Sequence, residues 1–240
     1  YSAVPTNGDG DFDFTRSTSA TRVNKDGLIE EVAVNVPRLD YSDGGCPSLL
    51  LEPTSSNLIP YSEDFSDASW TKFGGGTGVV PIVTLNQGIS PDGTNNATRI
   101  EFSIAAGTTA SDQSIVVDNV TVPSGYTTQK SIYLKSNTSN SYDLIIYEST
   151  SASGTNVKKI TVTTEWKRFV VYGAVSSTTS GLAFGLRNVN VNGISQSADV
   201  LVYGAQLESG SFPTSYIPNY GTAAGITRVA ETANGAGDAS

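Results

Sequence analysis

The sequence predicts an all-β protein built round a two-sheet sandwich, and three observations carry that prediction. Short segments rich in Val, Ile, Leu, Phe and Tyr recur between Gly, Asn, Ser and Pro separators from residue 57 to residue 207. Several alternate with period two. Within 97–104, Ile100, Phe102 and Ile104 share one face while Arg99, Glu101 and Ser103 share the other. Beyond a single turn at 63–70, no segment carries the three-to-four-residue apolar spacing of a helix.

In chain order, residues 1–10 read as a flexible lead-in. Segments 20–24 and 28–34 flank Lys25-Asp26-Gly27 and read as a hairpin, because Asp-Gly supplies the positive φ that a tight turn needs. Pro37 and the run from Asp43 to Pro47 interrupt the chain, and 48–52 is a short apolar strand closed by Pro53. Residues 1–55 are too short for an independent core and read as an extended β arm or small attachment module. The sandwich is expected over 56–220. Its strands fall at 79–85, 97–104, 113–117, 130–135, 143–148, 157–162, 167–172, 182–186 and 199–207. Gly74-Gly75-Gly76-Thr77-Gly78 reads as a mobile turn, since it lacks the Lys-Ser/Thr ending of a phosphate loop. Two prolines and two aromatics in 208–218 suggest an extended strap across the sandwich. The Gly/Ala-rich segment 221–240 reads as a flexible C-terminal connector. Within it, Ile226-Thr227-Arg228-Val229 echoes Ala20-Thr21-Arg22-Val23, as if the tail began a second copy of the N-terminal motif.

Composition excludes several functions. Twenty-three acidic residues against 14 basic ones give a net charge of −9 and a pI near 4.4, which opposes nucleic acid binding. No run approaches the roughly 18 apolar residues of a membrane span. His is absent, which removes imidazole bases, His-dependent triads and imidazole metal sites. Low charge combined with abundant β-branched residues argues for strands rather than disorder. Cys46 is the single cysteine, so an internal disulfide is excluded, and it reads as a small buried hydrophobe. Met is absent and residue 1 is Tyr, so the chain reads as a piece of a longer polypeptide or a processed product, with no signal-peptide pattern over 1–10.

Asn57-Leu58-Ile59-Pro60-Tyr61-Ser62-Glu63-Asp64-Phe65 with Trp70-Thr71-Lys72, then Thr163-Thr164-Glu165-Trp166-Lys167-Arg168-Phe169, then Val202-Tyr203-Gly204-Ala205-Gln206-Leu207-Glu208, together resemble jelly-roll carbohydrate-binding modules. The run from Asp13 to Asn24 resembles the N-terminal arm of bacteriophage tail and fibre proteins that carry such a module. Leu28–Val32, Asn35–Arg38, Pro47–Pro53 and Tyr216-Ile217-Pro218 continue that likeness. The resemblance spans roughly residues 11–230. It implies a jelly-roll β-sandwich on a virion surface, in a tail fibre, head fibre or capsid decoration that contacts host glycans. The alternative is a glycan-binding module of a secreted or particle-bound polysaccharide-degrading protein. Related jelly rolls often hold a structural calcium through acidic residues near the first strand and an acidic pair in the last. Glu63 and Asp64 are therefore the calcium candidates, but Tyr203-Gly204 stands where the pair belongs. Calcium takes six to eight oxygen ligands, so the favoured reading is no cofactor.

Sugar binding on a β-surface needs flat apolar faces for stacking beside groups that bond hydroxyls. Tyr133, Tyr142 and Tyr147 are the candidates, with Tyr172 behind them, whereas Trp70 and Trp166 read as core. Asp9, Asp11 and Asp13 alternate like calcium-loop ligands but lack the Gly and distal Glu of such a loop, and read as solvated. Glu63, Asp64, Glu101, Asp143, Glu148, Glu165 and Glu208 could supply a carboxylate pair, but no hydrolase signature accompanies them, and a non-enzyme is expected. Expected partners are other virion proteins through residues 1–55, further copies of the same chain in a homo-oligomer, and host polysaccharide, with neither nucleic acid nor membrane. The arm is expected to cover an exposed strand edge or to be donated between copies.

Overall fold

The computed structural model describes residues 13–105, 109, 111–122, 127–149, 156–174, 178–188 and 193–234. All regular secondary structure among them is β. The chain divides into two compact units: Ser56–Pro213 with Pro218–Ile226, and Tyr1–Ser55 with Thr214–Ile217 and Thr227–Ser240.

The smaller unit contains β1 (Asp13–Thr15), β2 (Ala20–Val23), β3 (Ile29–Val32), β4 (Arg38–Asp40) and β5 (Ser48–Leu50), while β6 (Ser55–Asn57) carries the chain onward. The expected hairpin is present. β2 pairs antiparallel with β3, with Val23 opposite Ile29, and Gly27 turns the corner at φ 78°. Asn24 fixes the turn by accepting the amides of Asp26 and Leu28 on its Oδ1. β4 pairs with β5, and the loop between them leaves Cys46 exposed, contrary to the buried position expected for a lone cysteine. A hairpin tip has no interior to offer it.

This unit is held by charge. Arg16, Arg38 and Arg228 are at most 1% exposed. Arg38 grips Glu231 with Nε and Nη2, both at 2.5 Å, and reaches Glu52 at 2.8 Å. Arg16 adds a contact to Glu231 at 2.9 Å. Burial pushes the Glu231 carboxyl up, but Arg38, the Glu52 amide and Arg16 outweigh it and hold it below the usual carboxylate range. The tail accordingly departs from a connector: β18 (Thr232–Asn234) pairs with β1, and Glu231 donates its amide to the Glu52 carbonyl. Part of the expected strap also belongs here, since Thr21 bonds the Tyr216 carbonyl and Ser215 bonds Glu52. The echo between residues 20–23 and 226–229 is not structural. Arg22 is a half-exposed partner of Glu30, whereas Arg228 is buried.

The larger unit runs through β7 (Thr71–Gly75), β8 (Val79–Gly88), β9 (Ala97–Ser103), β10 (Gln113–Thr121), β11 (Thr127–Ser136), β12 (Tyr142–Glu148), β13 (Val157–Val162), β14 (Lys167–Ala174), β15 (Thr179–Arg187) and β16 (Ser197–Ser209), after which β17 (Ile226–Arg228) begins the return. Two five-stranded sheets result, ordered β13-β12-β15-β10-β7 and β14-β11-β16-β9-β8. The chain passes repeatedly from one sheet to the other, and the pairings are antiparallel. This is a jelly-roll β-sandwich.

The alternation read from sequence sets the core. Ile100, Phe102 and Ile104 are buried, while Arg99, Glu101 and Ser103 are not. Phe65, Trp70, Phe102 and Phe184 form an aromatic cluster with centroids 4.8–6.2 Å apart, and the Trp70 indole N–H donates to the Tyr61 carbonyl. Trp166 departs from the core reading. It lies in the turn between β13 and β14, half-buried, with its N–H on the Ile89 carbonyl. The Gly-rich run is not a loose turn: Gly74 and Gly75 belong to β7, and a Cβ on Gly78 would overlap the Gln113 carbonyl. Across the interior, Lys130 of β11 meets Glu148 of β12, whose remaining capacity is filled by Ser180 and the Gly181 amide. A Cβ on Gly173 would strike this ion pair.

Candidate functional site

The three candidate tyrosines lie on three different surfaces of the sandwich. Tyr133 alternates with the core residues Ile132 and Leu134, so it faces outward from its sheet. There it meets Tyr203 edge-on at 6.2 Å, under the Arg168 guanidinium at 5.6 Å. Tyr147 occupies the outer face of the opposite sheet, beside Ile115, Ile145 and Ala183. It is only 4% exposed and capped by Arg187, 5.8 Å from its ring centroid; burial pushes its phenol pKa up. Tyr142 is half-buried where β12 begins, with its hydroxyl 2.8 Å from Thr138 Oγ1. No single platform joins the three. Tyr172 is 56% exposed on β14.

Tyr142 lines an open cleft of about 300 Å³. Val79, Val80 and Ile82 of β8 form its apolar side at 54–59% exposure, with Ser103, Ser197, Glu101 and Asp199 supplying polar groups. Glu101 and Asp199 stand directly opposite each other on β9 and β16. Arg99 ties them together, reaching Glu101 at 2.9 Å and gripping both oxygens of Asp199 at 2.8 Å. Asn137 adds a further donor to Asp199. The Arg99 guanidinium therefore holds the Asp199 carboxyl below its usual range. A glycosidase needs one carboxylic acid kept protonated to donate to the leaving oxygen. Both carboxylates here are engaged by the Arg99 guanidinium.

The remaining carboxylates are separate. Asp143 bonds Thr161 and Lys159, Glu148 is paired inside the core, Glu165 is exposed in a turn and Glu208 is buried. The calcium candidates hold hydrogen bonds within the chain. Glu63 accepts from Asn96 and Tyr220, Asp64 accepts twice from Ser66, and the Tyr203 hydroxyl donates to Asp92. Among the described residues no group of three or more His, Cys, Asp or Glu side chains could hold a metal ion. Asp9 and Asp11 lie outside the described residues, and Asp13 begins β1 opposite Asn234.

Sequence reasoning selected Tyr142 and Glu101 but missed Asp199, Val79, Val80 and Ile82. The cleft draws on four separated segments, and only β-pairing brings them together. A usable signal did exist for β8, whose apolar residues run without strict alternation and so cannot all face inward.

No protein-family model matches the chain, and no curated protein matches it. Among solved structures it is similar to the family 11 carbohydrate-binding module from Clostridium thermocellum in complex with a β-1,3-1,4-mixed-linked tetrasaccharide, at 16% identity and TM-score 0.40, covering 66% of this chain and 96% of that one. It is similar to the CBM22-1 xylan-binding domain from Paenibacillus barcinonensis Xyn10C, at 16% identity and TM-score 0.38, covering 65% and 92%. It is also similar to the enzymatically active domain of bacteriophage CBA120 tailspike protein 4, at 9% identity and TM-score 0.39, covering 64% of this chain and 21% of that one.

Proposed function

We propose that this polypeptide is a non-enzymatic structural protein of a virion surface, in a tail fibre, head fibre or capsid decoration, whose sandwich contacts host-surface glycans through the Tyr142 cleft. The observation that carries the glycan reading is the cleft itself. Exposed aliphatic side chains and a half-exposed tyrosine lie beside two carboxylates already oriented by Arg99. Sugars present both chemistries at once, with C–H faces for the apolar wall and hydroxyl donors for the carboxylates. The virion reading is supported by the likeness of residues 13–24 to phage fibre arms, and the unit containing residues 1–55 is its attachment module, in a particle where several copies assemble.

The test is calorimetric titration of host capsular and surface polysaccharides into the full chain. Saturable binding is expected, weakened about tenfold or more by Tyr142→Ala, on the order of the 1.4 kcal/mol assigned to one aromatic contact. Flat titrations across a broad panel, or binding indifferent to Tyr142→Ala in a folded variant, would remove the glycan reading. Labelled-particle imaging that finds the polypeptide away from the virion surface would remove the other half.

A further inference from the structure

A second cavity, of about 450 Å³, opens beside the C-terminal end of β10, away from the Tyr142 cleft. Leu58, Pro60, Val120 and Ala224 give it apolar walls, and Asp118 and Ser69 give it polar ones. Asp118 is 2% exposed, and its Oδ2 has no hydrogen-bond partner; the buried Oγ of Ser69 has none either. Buried polar groups are nearly always satisfied, so two acceptors without a partner in the chain, lining one cavity, are placed to receive hydrogen bonds from a bound molecule. The contrast within the molecule is informative. Glu148 and Glu231, comparably buried, carry Lys130 and Arg38 respectively. No basic side chain lines the Asp118 cavity among the described residues. Burial and the nearby Asp67 carboxylate together raise Asp118 to about 6, which leaves it an anion at neutral pH.

We propose that this cavity is a binding site for a small organic ammonium, with the charged nitrogen donating to Asp118 Oδ2 and Ser69 Oγ and the carbon body lying against the apolar walls. Both orphaned atoms accept hydrogen bonds, and a cation supplies the charge that the buried carboxylate lacks. A metal ion fits less well. It would want six or more oxygens, whereas five aliphatic side chains line the space, and the volume suits a molecule of several heavy atoms.

The experiment is titration of the full chain at pH 7.5 with n-butylammonium, n-butanol and calcium chloride, followed by protein-observed NMR. Saturable binding of n-butylammonium is expected, with n-butanol at least tenfold weaker and calcium silent. Asp118→Asn should weaken the amine at least tenfold. Ala224→Phe, made at an exposed position that narrows the cavity, should do the same and needs no change at the buried carboxylate. Polysaccharide binding at the Tyr142 cleft should be unchanged in both variants, which separates this site from that one. The proposal is overturned by absence of saturable amine binding, by equal binding of alcohol and amine, by amine binding that survives both substitutions, or by Asp118-dependent binding of calcium.

Discussion

Arg38 uses all five of its guanidinium donors. Two go to Glu231, one to Glu52, one to the Thr21 carbonyl and one to the Ser215 hydroxyl. Removing one partner of such a buried pair leaves the other charge stranded, so Arg38→Ala is expected to cost about 3–5 kcal/mol in the smaller unit. Arg38→Lys keeps the charge but donates from a single point and cannot span two carboxylates, so it should still cost roughly 2 kcal/mol or more. Denaturant titration read through hydrogen exchange of residues 13–55 measures both. A Lys variant as stable as the parent would show that the planar fork is unimportant. None of this was legible in the sequence, because Arg38 and Glu231 are 193 residues apart and neither sits in a patterned segment. The other buried ion pair was half legible. Lys130 occupies the inward phase of Lys130-Ser131-Ile132-Tyr133-Leu134, where an unpaired ammonium would be untenable. Glu148 shares the inward phase of Leu144 and Ile146, but nothing in sequence matched one strand to the other.

At the level of elements, what the sequence announced was every strand long enough to show alternation or an apolar run. The strands expected within 79–207 are all present, and 157–162 agrees to the residue. Most of their ends were read short, because Ser, Thr and Gly continue a hydrogen-bonded ladder without adding an apolar signal; β15 starts at Thr179 and β11 at Thr127 for that reason, while 97–104 ran one residue past β9. Three-residue strands such as β1, β4 and β18 were invisible, since their pairing partners rather than their own residues define them. β8 has a further consequence. It is the outermost strand of its sheet, carries no charged residue from Val79 to Gly88, and exposes Val79, Val80, Ile82 and Leu85. Such an edge invites pairing with another copy. Concentration-dependent self-association is therefore expected in sedimentation velocity, and Leu85→Lys should shift it toward monomer while leaving glycan binding intact, because Leu85 does not line the cleft. Ile82→Lys should reduce both. A parent that stays monomeric at every concentration would refute the edge reading.

The whole molecule is cemented in two different ways, and pH separates them. The sandwich rests mainly on an aromatic and aliphatic core, with the Lys130–Glu148 pair inside it, and the smaller unit on carboxylates that must stay ionised. The fold class was readable because apolar alternation is a local signal; the return of residues 227–234 to the first 55 was not, because ionic partners follow no periodicity. Glu231 is held below its ordinary pKa of 4.5, so its contribution is complete above that value and is lost as pH falls through the lower folded value. Asp118 behaves oppositely. Its pKa rises from 3.8 to about 6, so the folded sandwich binds the proton more tightly than the unfolded chain does. Acidification from pH 6 to pH 4 then favours the folded sandwich through this one group by about 2 kcal/mol, at about 1.36 kcal/mol per pKa unit. Asp92, Asp112, Asp143 and Asp199 of the sandwich are held low instead, so each loses its contribution on acidification and opposes the Asp118 gain. Hydrogen exchange between pH 7 and pH 3, corrected for intrinsic rates, should therefore show protection falling first in residues 13–55. Peptides covering β10 and β15, around Asp118, should lose less, and Asp118→Asn should remove that advantage. Parallel loss in both units would mean that one common set of carboxylates governs the molecule, and the distinction between a charge-held unit and a core-held sandwich would fail with it.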